Sequence, residues 1–261
     1  MSSRTGSVKI ELENNRIKMK ILAILTVYNE VNYLPHTFEY FKRNGCDIYV
    51  IDNYSNDGTY EWLIENNIPC HRVDTQESFD LTKLQKEIIS TVHQIKPDWV
   101  VYTGADMYYV ADMPLNEYIK KIDSMGFNQI STLAYSVFNT GENFDLPLCE
   151  HYFYATLSIH ITMISKYDES YGMYADVVTI NNANCFKADD CICVNYGACK
   201  PIEEQEIRLE RRKRAWENGL NQWYGYHYIE GKQRNWIRSK EECIDLRTIS
   251  EYKYIQKIIK S

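Results

Sequence analysis

A run of about 18 apolar residues, the length that a membrane-crossing helix needs, is missing from this chain, and the segment before Ile21 is polar. Neither a transmembrane segment nor a signal peptide is therefore expected, and a cytoplasmic protein is the reading. Positive charge is scarce too: 29 Lys and Arg stand against 36 Asp and Glu, a formal net charge of -7. That balance argues against nucleic acid as a partner, because affinity for phosphate backbones rests on clustered Lys and Arg. Internal repeats and low-complexity tracts are absent. The eight cysteines, Cys46, Cys70, Cys149, Cys185, Cys191, Cys193, Cys199 and Cys243, form no evident disulfide framework. Four of them lie close together near Cys191 but lack a matching pair at C-x₂₋₄-C spacing, so buried free thiols are expected rather than structural zinc. Glycine is missing from V-Y-N-E-V-N-Y, the stretch after the first apolar run. This removes the Gly-rich phosphate loop that a sugar nucleotidyltransferase needs at that point.

What is present is a chain of 261 residues, 44% of them hydrophobic, enough to bury a sizeable core without staples. Met1 to Lys18 reads as a flexible leader, 19–200 as one folded domain, and 201–261 as a helical C-terminal extension packed on it. Lys20 to Val27 is a short aliphatic run suited to a strand buried on both faces. Glu30 to Arg43 places Val31, Leu34, Phe38 and Phe41 at helical spacing, with Asn29 positioned to cap and Gly45 beyond the end. Further strands are expected at Asp47 to Asp52, Cys70 to Val73 and Asp98 to Thr103, and further helices at Tyr60 to Asn66 and Leu81 to Ile95. Such alternation implies crossovers and a mainly parallel sheet flanked by helices, an α/β fold. Past Asp106 the regularity weakens, although Gln129 to Val137 and Ser158 to Ile164 keep strand-like composition. Pro201 to Asn218 opens on Pro, loads its first turn with Glu and ends in basic residues before Gly219, which predicts a helix. Ile249 to Ile259 is a second C-terminal candidate.

In open α/β sheets ligands bind outside the carboxyl ends of the strands. Three polar clusters occupy that position: Val27, Tyr28, Asn29 and Glu30 after the first strand, 52–59 (D-N-Y-S-N-D-G-T) after the second, and Gly104, Ala105 and Asp106 after the fourth. A nucleotide wants carboxylates or amides for its base and ribose, N–H groups near its phosphates, and positive charge against the diphosphate. At these residues the chain resembles the family 2 glycosyltransferases, whose nucleotide-binding domain is of the GT-A type. T-V-Y-N-E is similar to that family's opening strand and loop, which lines the nucleotide base. I-D-N-Y-S-N-D-G-T looks like its D-x-x-S-x-D-G-T element. The resemblance covers roughly Lys20 to Val110 and implies a base or ribose contact for Asp52, with Asp57 supporting it.

The same resemblance implies a D-x-D metal motif after the fourth strand, and here the first Asp is replaced by Gly104. Asp106 is left as the candidate ligand of Mg²⁺ or Mn²⁺, ions that take oxygen ligands and often use one or two carboxylates plus substrate phosphates. Further on, Ala175-Asp176 corresponds to the family's H-E pair and Asn195-Tyr196-Gly197 to its H-Y-G. On that alignment Asp176 is the general base, and Asn195 replaces a His able to bind metal, so metal binding is expected to be weak or lost. Counter-charge for the diphosphate would then come from Arg208, Arg211, Arg212, Lys213 and Arg214 or from His227 and Lys232, with Arg212, Lys213 and His227 preferred.

Plainer readings compete at each position. Asp52, Asp57, Asn29 and Glu30 are residue types that cap helices and tighten turns. Asp168, Glu169 and Glu150 rival Asp176 as base, and the basic helix carries Glu at i,i+4 positions that suit a solvated face. Taken together, the residues and the resemblance imply a glycosyltransferase that moves a sugar from a nucleotide-diphosphate sugar to an acceptor hydroxyl, with inversion. The alternative is a degenerate relative that binds nucleotide or glycan without catalysis. Asp106→Ala is expected to remove turnover with little loss of folding.

Overall fold

A computed structural model describes residues 19–138, 153–174, 177–220, 240–250 and 252–259. The expected leader, Glu150, Asp176, His227 and Lys232 lie outside the described residues. The apolar run at Ile21–Val27 forms β1, buried along nearly its whole length as expected of a central strand. It is followed by α1 (Leu34–Arg43), β2 (Asp47–Asp52), α2 (Thr59–Glu65), β3 (Cys70–Arg72), α3 (Leu81–Ile95) and β4 (Trp99–Thr103). These strands lie in the order β3-β2-β1-β4, and every pairing among them is parallel. The three intervening helices make the crossovers that parallel neighbours require.

The second half of the sheet is mixed. β5 (Met107–Ala111), α4 (Leu115–Ser124), β6 (Gln129–Phe138), β7 (Tyr154–Lys166), the hairpin β8 (Gly172–Tyr174) and β9 (Val177–Thr179), and β10 (Cys185–Ala198) follow in the chain. β7 pairs antiparallel with β4 and β6, β6 pairs parallel with β10, and β10 pairs antiparallel with β5. Helix α5 (Ile202–Glu217) comes next, then the short strand β11 (Ile244–Asp245), paired to β7, and helix α6 (Tyr252–Ile259), which packs on β5. The result is a mixed α/β fold whose parallel block carries the three polar loops at one edge.

Two expectations change in detail. Helix α1 begins at Leu34, with Pro35 in its first turn, rather than at Glu30. Asn29 does not cap it: its φ of 54° turns the chain into the left-handed region, and the Glu30 carbonyl accepts from the Tyr33 and Leu34 amides at 2.9 and 2.8 Å. Residues 30–33 thus form a turn that holds the first loop above the sheet. Among the described cysteines all seven are free, with Cys191, Cys193 and Cys199 buried as small apolar groups.

Candidate functional site at the carboxyl edge of the parallel strands

The loops after β1 and β2 are joined by side chains reaching into backbone. The Asn29 amide N–H donates to Ser55 Oγ at 2.9 Å, and the Asn29 side chain exchanges two hydrogen bonds of 3.0 Å with Asn56. Glu30 N–H donates to Thr59 Oγ1 at 2.8 Å and Val31 N–H to Asp57 Oδ2 at 3.2 Å. Asp57 also accepts from Thr59 N–H and Thr59 Oγ1 at 3.0 and 2.6 Å, so it ties the two loops together at the start of α2. Gly58, with φ of 97°, supplies the left-handed residue that this entry into the helix needs.

Asp52 ends β2 fully buried. Its carboxylate accepts from Ser55 N–H at 3.2 Å and from Arg72 Nε at 2.9 Å. Arg72 in turn lies between the rings of Tyr54 and Tyr60, 4.3 and 4.5 Å from their centroids, and donates to the Ser55 carbonyl. The carboxylate therefore shapes the loop from beneath.

A second, deeper cluster joins Glu30, Asp106, Lys200 and Arg208. Lys200 Nζ donates to both oxygens of Glu30 at 2.7 and 2.6 Å and reaches Asp106 Oδ2 at 2.8 Å. Arg208 Nη2 bridges the same two acids, 2.5 Å from Glu30 Oε1 and 3.1 Å from Asp106 Oδ2. Burial pushes the Asp106 carboxyl up, but Lys200 and Arg208 outweigh it and hold the group well below the usual carboxylate range. Burial likewise draws the Arg208 guanidinium down, and Glu30 and Asp106 more than restore it. The segment Asn195-Tyr196-Gly197 lies against this cluster, with Tyr196 N–H donating to the Asp106 carbonyl at 2.8 Å. A Cβ at Gly197 would come within 2.9 Å of Asn195 Oδ1 and 3.1 Å of Asp106 Oδ2, so only glycine leaves the cluster its space. The Ala105 carbonyl is used by Thr37 Oγ1.

Helix α5 runs over this edge. Its inward stripe is Glu204, Gln205, Arg208, Arg211 and Ala215, spaced as one face of a helix. Tyr33 OH donates to both Glu204 oxygens at 3.0 Å, and Arg214 pairs with Glu77 at 2.9 Å. Arg211 differs from Arg208. It is 5% exposed, stacks on Tyr28 with 3.2 Å from guanidinium carbon to ring centroid, and donates from Nη2 to the Ser78 carbonyl at 3.0 Å. With the Asn53 amide turned to satisfy its neighbours, Asn53 Oδ1 also accepts from Arg211 Nη2 at 2.7 Å. Among the described residues no carboxylate lies within ion-pair distance of Arg211, and its Nε has no partner. Burial brings this guanidinium down to about 10, with Tyr28 acting in the opposite direction.

Of the cations preferred from sequence, Arg212 lies 5.8 Å from the Phe79 ring and Lys213 is 3.9 Å from Glu210 on the helix flank. The inward positions belong to Arg208 and Arg211. The signal that finds them is the 4, 3, 4 spacing of Glu204, Arg208, Arg211 and Ala215. Lys200 was missed altogether, since its partners are 170 and 94 positions away in the chain. Two rival bases are elsewhere: Lys166 pairs with Trp99 at the amino end of β4, and Asp168 and Glu169 follow it there, at the opposite edge from the site. Asp168 accepts from Ser170 N–H at 2.6 Å, and exposed Glu169 pairs with Lys96 at 2.8 Å.

The residues at Asp106 do not fit a divalent cation. Gly104 offers no ligand, Asn195 Oδ1 accepts from Gly197 N–H at 2.7 Å, and the Asp106 and Glu30 carboxylates are engaged by Lys200 and Arg208. Among the described residues no group of three or more His, Cys, Asp or Glu side chains is arranged to hold a metal. Nor is any described helix long and apolar enough to cross a membrane.

No family model and no curated protein matches the chain. Part of the chain is similar to solved structures. S. aureus TarS is 16% identical over 49% of this chain and 23% of its own, with a TM-score of 0.34. TarS 1-349 in complex with UDP-GlcNAc is 15% identical over 51% of this chain and 39% of its own, also at 0.34. A cytidylyltransferase from Leptospira borgpetersenii is 13% identical over 44% and 53%, at 0.28. The chain thus spans well under two thirds of each of these, and superpositions of this extent carry no functional conclusion.

Proposed function

We propose that the chain binds a nucleotide-diphosphate sugar at the carboxyl edge of β1, β2 and β4 and transfers the sugar to an acceptor hydroxyl, as the resemblance to family 2 glycosyltransferases implies. The observation that carries this reading is Arg211. Among the described residues this buried guanidinium has no carboxylate at ion-pair distance, and such a group is costly unless something anionic completes it. Arg211 also lies against Tyr28 and Asn53, the two loops whose residues resemble a nucleotide site.

In this reading Tyr28, Asn29 and Asn53 line the base and ribose, Asp52 and Asp57 hold those loops in shape, and Arg211 and the outer side of Arg208 face the diphosphate. Charge-assisted hydrogen bonds from fixed guanidinium groups would steady the negative charge that builds on the leaving diphosphate. The acceptor hydroxyl attacks the anomeric carbon as the bond to the diphosphate oxygen breaks, and a carboxylate takes the hydroxyl proton. Asp176 is the proposed base, and attack from the face opposite the leaving group gives inversion.

A second reading has its own observation: Glu30 and Asp106 are both matched by cations from the chain itself, as a pocket that only binds would tolerate. Isothermal titration with UDP-, GDP- and TDP-sugars, followed by assay of slow donor hydrolysis, separates the two. Binding with hydrolysis is expected, binding without hydrolysis favours the non-catalytic reading, and no binding of any nucleotide sugar defeats both.

A further inference from the structure

The cluster around Asp106 holds a cation, and that cation is covalently part of the chain. The Lys200 side chain is fully buried, its ammonium touches three carboxylate oxygens at 2.6 to 2.8 Å, and it lies 4.2 Å from the Tyr33 ring centroid on its other side. Arg208 closes the same two acids from the partly exposed side. Two carboxylates facing two monovalent cations sum to zero, the same local charge that two carboxylates holding one divalent ion would have. Of the five N–H donors of a guanidinium, Arg208 spends those on Nη2 and one on the Gly197 carbonyl at 3.4 Å, so donors remain for a ligand. For a divalent ion to enter, Lys200 would have to leave its carboxylates and stay buried and uncompensated, which strongly disfavours the exchange.

We infer that Lys200, braced by Arg208, permanently takes the place of a divalent metal, so that the site accepts a diphosphate-bearing ligand without Mg²⁺ or Mn²⁺. The ligand part of this inference rests on the function proposed above; the exclusion of metal does not. Lys200 is a positioning residue: it fixes Glu30 and Asp106 and thereby the place of Arg208, while Arg208 meets the ligand.

The test separates these parts. Mn²⁺ is titrated into the nucleotide-free wild-type chain and followed by electron paramagnetic resonance. No saturable binding up to millimolar Mn²⁺ is expected. Lys200→Met keeps the length of the stem but removes one of the two cations from Glu30 and Asp106, leaving Arg208 on its partly exposed side, and it should gain Mn²⁺ affinity by about tenfold or more, with Mn²⁺ raising its melting temperature. Stoichiometric Mn²⁺ binding by wild type that Asp106→Asn abolishes would overturn the inference, and so would a folded Lys200→Met with no gain. If that variant does not fold, the wild-type titration decides alone. In a separate arm, nucleotide-sugar binding by wild type should be equal in EDTA and in Mn²⁺. Binding that appears only with Mn²⁺ overturns the inference, whereas no nucleotide binding in either condition, with the Mn²⁺ result as expected, defeats the proposed function alone.

Discussion

The site contains two buried acidic centres of different construction. At Asp52 one carboxylate meets one guanidinium, Arg72, from 20 residues away, together with the Ser55 amide of its own loop. At Asp106 two acids and two cations come from three stretches of chain, and both cations enter with α5 and the residues just before it. The first arrangement shapes a loop, and the second clamps a helix onto a sheet. Among the described residues Arg211, by contrast, is buried with no carboxylate at ion-pair distance, and the function proposed above assigns its charge to a ligand.

The largest expected effect separates the two centres directly. Asp106→Ala leaves Lys200 and Arg208 with Glu30 alone and should cost about 3–5 kcal/mol in urea denaturation. This differs from the expectation that the substitution spares folding, because the side chain belongs to the ion pairs that join α5 and the residue before it to the loops after β1 and β4. Normal stability of Asp106→Ala would break the distinction. Next, Arg211→Met should weaken nucleotide-sugar affinity about 10- to 100-fold by calorimetry, the worth of a charge-assisted hydrogen bond, while leaving stability equal or higher because a buried unmatched charge is removed. A loss of stability with unchanged affinity would make Arg211 a structural residue like Arg208.

Arg72→Ala should cost about 1–3 kcal/mol, less than Asp106→Ala, because the Asp52 carboxylate keeps the Ser55 amide. A penalty as large as that of Asp106→Ala would erase the difference between the centres. The smallest effect is in the acid limb of stability. The Asp106 carboxyl is held below its ordinary value of 3.8, so its contribution is complete above that value and fades as pH falls beneath it, when the unfolded chain takes up the proton first. Asp106→Asn should therefore flatten the decline in stability below about pH 4. An identical slope in both proteins would show that other carboxylates govern that limb.

The parallel half of the fold was readable because β1, β2 and β4 are short runs rich in apolar residues and the loops after them carry turn residues; Leu81–Ile95 matches the predicted helix end to end. The mixed half resisted for identifiable reasons. In β10 the polar stretch Lys187, Asp189 and Asp190 interrupts the apolar pattern where a register shift occurs between Ala188 and Ile192, so no strand period survives. In α4, Leu115, Tyr118, Ile119 and Ile122 carry a helical stripe that is legible in the sequence. At the site, the loops were located by their position after strands. The identity of the cations was hidden because Lys200 and Arg208 meet Glu30 and Asp106 only through tertiary packing, and Lys200 follows a strand with no motif of its own.

The four charges of the Asp106 cluster are made at different times as the chain is synthesised. Glu30 and Asp106 belong to the portion of the chain made first, and the cations that pair with them in the fold, Lys200 and Arg208, follow only later. A nascent chain that has completed its parallel strands would carry an open acidic notch, hydrated and able to attract free metal ions or basic chaperone surfaces, until α5 arrives to seal it.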